Sequence, residues 1–359
     1  MKKKLPKKLK TSIKIIALIL LAVFLIFPLP YRIEIPGGVK SLNESIEVSG
    51  HKAPVKADGG FYLPTVKTAP ANVSLLIYNI FDRYADIHPS HSREQALSKR
   101  QQDEIISQMQ MRVSENIAIW EAFRLARKPI DFEYGGAYVT DLASRSSFRN
   151  VLRPLDLITH VDGQGFESSE EMYEYIKKQE VGAPVKLQYQ REVNGEKVEQ
   201  TAEGSYIKLD NGATGIGVTL VEKTRLLSEP HVSINVGEVS GPSGGLLFTL
   251  DIYSKLAGRD LTQGRKVTGS ASIALGGAVW PVGGIRQKVI AAERQEMDVF
   301  FVYDDGTTQN SNNYIQAKNT AEWLHSDMSI VPINTVRDAV EYLEGQGTAW
   351  LEGSDKKSL

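Results

Sequence analysis

Hydrophobic and polar positions along the chain change period several times, and each change marks an element. Ile15 to Phe27 form thirteen unbroken apolar positions, followed by Pro28-Leu29-Pro30-Tyr31. From Tyr31 to about Val66, short apolar stretches such as Phe61-Tyr62-Leu63 are separated by Gly37-Gly38 and Gly59-Gly60, which predicts strands and turns. From about Arg93 to Arg127, Ile105, Met109, Val113, Ile117 and Trp120 recur at helical spacing until Pro129 ends the run. A stripe of this kind predicts a helix packed on its own domain.

Alternating runs follow at Ala137–Leu142, Asp156–Val161, Val185–Arg191 and Lys197–Ala202. The last two are joined at Asn194-Gly195, a strong hairpin signal. Between them lies a helix over Ser168–Lys178, with Ser168 and Glu171 spaced as a capping box. Beyond Gly215, strands at Gly217–Val221, Ser233–Glu238, Lys266–Ala274 and Val299–Tyr303 alternate with helices. The helices fall at Gly244–Leu256, Arg286–Arg294, Asn313–Leu324 and Val336–Glu344, a pattern that predicts an α/β layered domain.

Composition narrows the chemistry. The 359 residues include no cysteine, which excludes a thiol nucleophile, disulfides and thiolate-bound metal centres. With 42% hydrophobic and 24% charged residues, the chain reads as folded domains rather than disorder or a multi-span membrane protein. The net charge of −1 hides an asymmetry. Residues 1–30 hold seven lysines and no acid, which leaves a net −8 on the remainder. An acidic remainder argues against nucleic acid as a partner.

The lysine arm and the apolar run together predict a membrane segment over residues 15–31, with the N-terminus cytoplasmic and the rest of the chain outside. A cleaved signal peptide competes with a retained anchor. The anchor fits better, because Phe27-Pro28-Leu29-Pro30-Tyr31 lacks the small residues of a cleavage site.

Gly135-Gly136-Ala137-Tyr138-Val139 ahead of Leu157-Ile158-Thr159-His160-Val161-Asp162-Gly163, with the element order above, resembles a PDZ domain of the kind appended to bacterial proteases. It departs from that pattern at Leu155, where a glycine commonly precedes the aspartate. The resemblance implies that Gly135, Gly136, Ala137, Tyr138 and Val139 supply backbone N–H groups for a peptide carboxylate, with an adjacent strand edge pairing to the peptide.

Candidate chemistry lies in the last segment. Glu238-Val239-Ser240-Gly241-Pro242-Ser243-Gly244-Gly245-Leu246-Leu247 joins a strand to a helix, placing the Ser243 hydroxyl at a tight turn beside a helix N-terminus. Trp280-Pro281-Val282-Gly283-Gly284-Ile285-Arg286-Gln287-Lys288-Val289-Ile290-Ala291-Ala292 is a second Gly-Gly turn opening a helix. Lys288 lies one turn in among apolar neighbours, where desolvation would favour the neutral amine. A neutral lysine can take a serine proton without histidine.

These two strings, with Val267-Thr268-Gly269 between them, resemble the proteolytic domain of Lon proteases. The resemblance implies a Ser–Lys dyad with Ser243 as nucleophile and Lys288 as general base. It further implies that Thr268 helps hold the lysine and that the N–H groups of Ser243 and Gly244 form the oxyanion hole. Ser240 and Gln287 depart from the family pattern, where aspartate and glutamate are common. No phosphate-cradling G-x-x-x-x-G-K-[S/T] occurs, so the expected activity is independent of ATP and of any cofactor. The arrangement resembles the membrane-anchored, YlbL-like proteins of Gram-positive bacteria, and Lon domains in general imply a homo-oligomer.

Other hydrolase patterns fit less well. PDZ-bearing trypsin-like proteases place histidine and aspartate before the serine and the PDZ domain after it, the reverse of the order here. No H-E-x-x-H occurs, and Pro89-Ser90 between His88 and His91 predicts a solvated pair rather than a metal site. S-x-x-K at Ser205–Lys208 and Ser354–Lys357 lacks its companion motifs.

The expected fold class is a multidomain α+β chain: transmembrane helix, PDZ-like β-rich domain and Lon-type α/β domain. The expected divisions are a basic arm (1–14), an anchor (15–31), a strand and helix region (32–130), a PDZ-like domain (131–209), a Lon-like domain (210–346) and a polar tail (347–359). The expected function is a membrane-anchored serine endopeptidase acting on extracytoplasmic proteins selected by the PDZ domain. The alternative is a silent, tethered PDZ adaptor in which the Lon-like domain is a scaffold.

Overall fold

A computed structural model of the chain describes residues 7–52, 59–89, 93–193, 196–237 and 239–345. Helix α1 (Lys7–Leu25) leads into β1 (Pro28–Ser41), β2 (Ile46–Val48), β3 (Gly60–Asn72), α2 (Val73–Ile80), β4 (Asp86–Pro89) and the long α3 (Arg93–Leu125). Then come β5 (Ile130–Leu142), β6 (Leu157–Val161), α4 (Ser169–Lys177), β7 (Pro184–Val193), β8 (Glu196–Ser205), β9 (Ile207–Lys208), β10 (Thr214–Gly215) and β11 (Val218–Ser228). The last run holds β12 (Val232–Ile234), a 3-10 turn (Pro242–Gly244), α5 (Gly245–Ala257), β13 (Lys266–Ser270), β14 (Ser272–Ile273) and β15 (Val279–Trp280). It closes with α6 (Ile285–Glu293), β16 (Val299–Tyr303), α7 (Asn313–Leu324), β17 (Ser329–Ile333) and α8 (Val336–Leu343).

Two sheets organise the molecule. The first runs β17-β16-β13-β3-β1-β4, parallel from β17 to β3 and antiparallel thereafter. Strand β16 shows why its sequence is unbroken Val-Phe-Phe-Val. Val299 and Phe301 join the core shared with α5, whereas Phe300 and Val302 join the core under α6 and α7. A strand covered on both faces needs apolar residues at every position. The N-terminal strands β1, β3 and β4 thus share one sheet with strands from the far end of the chain.

The second sheet is antiparallel, in the order β11-β5-β6-β7-β8, with α4 across it. Its core holds Ile158, Val161, Leu187 and Tyr189 against Met172 and Ile176 of α4. Ser168 caps α4 by accepting from the Glu171 N–H. Arg191 grips the buried Asp156 through both carboxylate oxygens (2.7 and 2.6 Å) and donates to the Val151 carbonyl oxygen at 2.8 Å. The expected strand at Gly217–Val221 is β11, and it stands at the edge of this second sheet.

Helix α3 touches both units. Trp120 meets Phe132 of β5 edge-on at 5.7 Å, and Asn116 Nδ2 donates to the Thr224 carbonyl oxygen at 3.1 Å. Ser114 Oγ donates to the Pro242 carbonyl oxygen at 3.0 Å.

The membrane segment expected over residues 15–31 takes a different form. The helix covers Lys7–Leu25, and Pro28–Tyr31 open β1 instead of finishing a span. Pro28 and Pro30 lack the N–H that a helix needs and push their preceding residues toward extended backbone. The helix includes Lys7, Lys8, Lys10 and Lys14, so its uninterrupted apolar stretch is Ile15–Leu25, about 16 Å of rise. Among the described residues, no helix is long and apolar enough to cross a membrane. Of the other expectations, the turn Asn194-Gly195, residue Glu238, His91 and the tail 347–359 lie outside the described residues. The strand expected at Ser233–Glu238 is only Val232–Ile234, and that expected over Lys266–Ala274 breaks after Ser270.

Candidate active site

Ser243 lies in the 3-10 turn that opens α5. Gly241, with φ at 91°, turns the chain into it, and no side chain caps the start of either helical segment. Backbone N–H groups at such a start have no intrahelical acceptor and are left for a ligand. The glycines after the serine serve packing: a Cβ on Gly245 would stand 2.6 Å from Ser114 Oγ. Helix α3 braces this turn. The Gly241 N–H donates to the Ser107 carbonyl oxygen at 3.1 Å, and Ser107 Oγ donates to Ser240 Oγ at 3.1 Å. Ser240, where the family pattern has aspartate, therefore pairs with a neutral hydroxyl.

Lys288 sits on α6, whose N-cap Gly284 adopts a left-handed φ of 70°. A Cβ there would come within 2.9 Å of Val66 Cγ2, so glycine lets α6 close against β3. The lysine is buried, and its Nζ donates to Ser270 Oγ at 2.9 Å and to the Gly283 carbonyl oxygen at 3.1 Å. Desolvation brings its pKa from 10.5 down to about 8, and the nearby Glu34 carboxylate opposes that shift. Glu34 is held by Arg32 at 2.6 Å, with His88 Nε2 3.8 Å away.

Ser243, Gly244, Lys288 and Glu34 line one cleft of about 680 Å³. Leu63 to Thr68 of β3 form a wall of it. Strand β13 pairs with β3 only over Gly60–Tyr62, so among the described residues no strand pairs with that second edge from Leu63 onward. Ser243 and Lys288 share the cleft without a hydrogen bond between them, and among the described residues Ser243 Oγ has no hydrogen-bond partner. Serine–base contacts are often long in the absence of substrate and tighten when it binds.

Thr268, expected beside the lysine, donates its hydroxyl to the Tyr62 carbonyl oxygen at 2.7 Å and ties β13 to β3. The hydroxyl that receives Lys288 belongs to Ser270, two residues on and on the same strand face. The period-two rule could have raised Ser270 as a candidate, since Val267-Thr268-Gly269-Ser270 offers two hydroxyls to one face. Gln287 donates to Asp86 Oδ2 at 2.7 Å while Arg286 takes Oδ1 at 2.8 Å. A glutamate at position 287 would face that carboxylate, so the glutamine suits its neighbour.

Of the expected peptide loop Gly135–Val139, Gly136, Ala137 and Val139 are buried within the sheet, whereas Gly135 is exposed. Strand β5 has β11 on one side along its length and β6 on the other at Ala137–Tyr138. Gly136 serves close packing, since a Cβ there would stand 2.4 Å from the Ile158 carbonyl oxygen. The edge strands of this sheet are β8 and β11, and β11, which pairs with β5, is entered through Gly215-Ile216-Gly217. Asn116 covers it at Thr224. Backbone groups that could pair with a peptide therefore lie toward the Val218 end. Among the described residues, no group of three or more His, Asp or Glu side chains could hold a metal ion.

Comparison with known proteins finds two domain families in the chain. Residues 192–344 match the family of the Lon protease (S16) C-terminal proteolytic domain, and residues 109–202 match the PDZ domain family. Lon protease of Azospirillum brasilense is 30% identical over 143 residues, which is 40% of this chain and 16% of that protein. Lon protease of Anaeromyxobacter dehalogenans is 34% identical over 104 residues, 28% of this chain and 12% of the relative. The chain thus spans less than a fifth of the length of these relatives. Among solved structures, the PDZ domain of an SdrC-like protein from Listeria monocytogenes is 35% identical, covering 24% of this chain and 90% of that one, with a TM-score of 0.22. The chain carries a PDZ domain and a Lon-type proteolytic domain.

Proposed function

We propose that the protein is a serine endopeptidase in which Ser243 attacks the peptide carbonyl and Lys288 is the general base. The observation that carries this reading is the buried Lys288 amine in the same cleft as Ser243, with its pKa brought down to about 8. Neutral Nζ takes the Ser243 proton as Oγ bonds to the carbonyl carbon. The resulting oxyanion is received by the N–H groups of Ser243 and Gly244 at the helix start. The Lys288 ammonium then gives its proton to the leaving amine, and water repeats the sequence on the acyl-enzyme. Ser270 and the Gly283 carbonyl oxygen fix the amine in place. The open edge of β3 from Leu63 to Thr68 offers an extended substrate a strand to pair with.

In this reading the chemistry needs no ATP, and the PDZ unit selects protein substrates through the edge of β11. The protein works at a membrane as a single-pass chain, N-terminus cytoplasmic and catalytic domain outside. Support comes from the apolar side chains exposed along α1 and the seven lysines that precede its apolar stretch. Ile26 and Phe27 lengthen the apolar stretch, and lysines that snorkel toward headgroups accommodate a short span. Assembly into a homo-oligomer is proposed from the Lon resemblance alone.

A second reading, the silent PDZ adaptor, draws on the unpaired dyad, since Lys288 bonds Ser270 and Gly283 rather than Ser243. Cleavage of a fluorogenic peptide by the full chain decides between them. Turnover by wild type and its loss in Ser243→Ala and Lys288→Met are expected. Equal turnover by all three would overturn the dyad, and peptide capture without cleavage would favour the adaptor.

A further inference from the structure

Helix α2 is built from Val-Ser-Leu-Leu-Ile-Tyr-Asn-Ile and carries no charge. Its inward contacts are few. Asn79 is buried and donates to the Leu75 carbonyl oxygen at 2.8 Å, while Asn72 caps the N-terminus. Outward, Leu75 is 38% exposed, Ile77 51%, Tyr78 74%, Ile80 60% and Phe81 85%. Five large apolar side chains on little more than two turns are far more than a water-facing helix of this length ordinarily presents.

Two neighbouring features point to what covers this face. Helix α1, apolar from Ile15 onward with most of those side chains exposed, ends close to where α2 begins: the Val73 N–H donates to the Phe27 carbonyl oxygen at 3.3 Å. Directly after α2, the exposed Arg83 stacks over Trp323 (4.5 Å) and Tyr84 (5.0 Å). Arg294 adds a second guanidinium over Tyr84 at 4.7 Å, and Arg286 a third over Trp323 at 5.1 Å. An apolar helix face flanked by arginines and amphipathic rings matches the boundary between acyl chains and anionic headgroups.

We propose that α2 is a second membrane contact, lying in the plane of the bilayer interface beside the point where α1 enters it. The inference rests on the membrane reading above and adds a substrate class to it. Strand β3 runs from the cleft wall at Thr68 directly into α2 at Val73, five residues, or about 16 Å of extended chain. With α2 in the interface, the cleft is held close to the lipid. The substrates it reaches are extended polypeptide segments near the membrane surface, such as stretches flanking a membrane anchor.

The absence of native cysteine makes the test direct. The full chain is reconstituted in vesicles of phosphatidylcholine with a minority of phosphatidylglycerol. Single cysteines at Ile77→Cys, Leu20→Cys in α1 and Val181→Cys in the PDZ unit carry an environment-sensitive fluorophore. Lipids with bromine on the acyl chain are then introduced. The labels at 77 and 20 are expected to lose most of their emission while that at 181 keeps its own. Quenching at 20 without quenching at 77 would overturn the α2 contact and leave the α1 anchor standing. Loss of quenching at both would overturn the two together. A label at 77 shielded equally in plain detergent and brominated lipid would assign the face to a protein partner or a second copy, and would also sink the proposal.

Discussion

Lowering the pH tests the most specific feature of the site, the buried amine of Lys288. Taking a lysine from 10.5 down to about 8 means that folding destabilises its ammonium by about 3 kcal/mol. With the pKa at about 8, roughly one amine in eleven is neutral at pH 7 and about ten in eleven at pH 9. The kcat/KM for a fluorogenic peptide should therefore rise about ten-fold over that interval and level off above it. Glu34 supplies a control with a fixed sign. Its carboxylate favours the ammonium, so Glu34→Gln should move the acidic limb to lower pH and increase turnover at pH 7. Freeing Arg32 acts in the same direction. The same numbers govern stability: as pH falls from about 10.5 to about 8, the unfolded chain takes up the proton first and the native state loses about 3 kcal/mol. Lys288→Met should regain it, melting higher than wild type at pH 7 while inactive. A flat activity profile from about pH 6 to 9, or a limb that moves upward in Glu34→Gln, would refute the reasoning.

Ser270→Ala removes the hydroxyl that receives the lysine and should lower kcat by about ten-fold or more with little change in KM, whereas Ser270→Thr should keep most of the rate. Steady-state kinetics on both variants checks this, and equal kcat in Ser270→Ala would dismiss the contact. Arg191→Met strands the buried Asp156 carboxylate and should cost the PDZ unit about 3–5 kcal/mol, read as an early transition in urea denaturation of the full chain. A loss below about 1 kcal/mol would show that solvent reaches Asp156 after all.

Much of the Lon-type domain was legible in the sequence because its elements announce themselves locally. Val299–Tyr303 and Asn313–Leu324 fall where periodicity puts them, and the two glycine turns put forward Ser243 and Lys288, which line one cleft. Pairing between distant segments was not legible. That β1 and β3 complete the sheet of β13 depends on contacts that no local pattern encodes. Helix α3 packs Met111, Ala118, Ile119, Ala122 and Phe123 into the first core, and it adds contacts from Ser107 and Ser114, polar residues that a hydrophobic stripe leaves out. The peptide loop shows a related effect: Gly135-Gly136 looks like a ligand loop, and the structure adds the Ile158 carbonyl oxygen pressing on Gly136, a contact between strands that the local pattern does not encode. Thr268 and Ser270 sit on one strand face, and only the neighbouring strand decides which hydroxyl meets the amine.

The threading of the first sheet has a consequence for the order of assembly. Thr268 reaches Tyr62 across 206 positions of chain, so the cleft wall and the lysine helix are synthesised far apart in time. Closing a loop of that length costs about 5 kcal/mol of chain entropy beyond a constant. The PDZ unit lies inside that loop, and it pairs Ile130 with Ser228 at its own base. Once folded, it pinches off nearly half of the intervening chain before the catalytic sheet has to form. The PDZ unit thus shortens the loop that remains to be closed, and a chain made only as far as residue 287 holds the β3 wall and Ser243 but not yet Lys288.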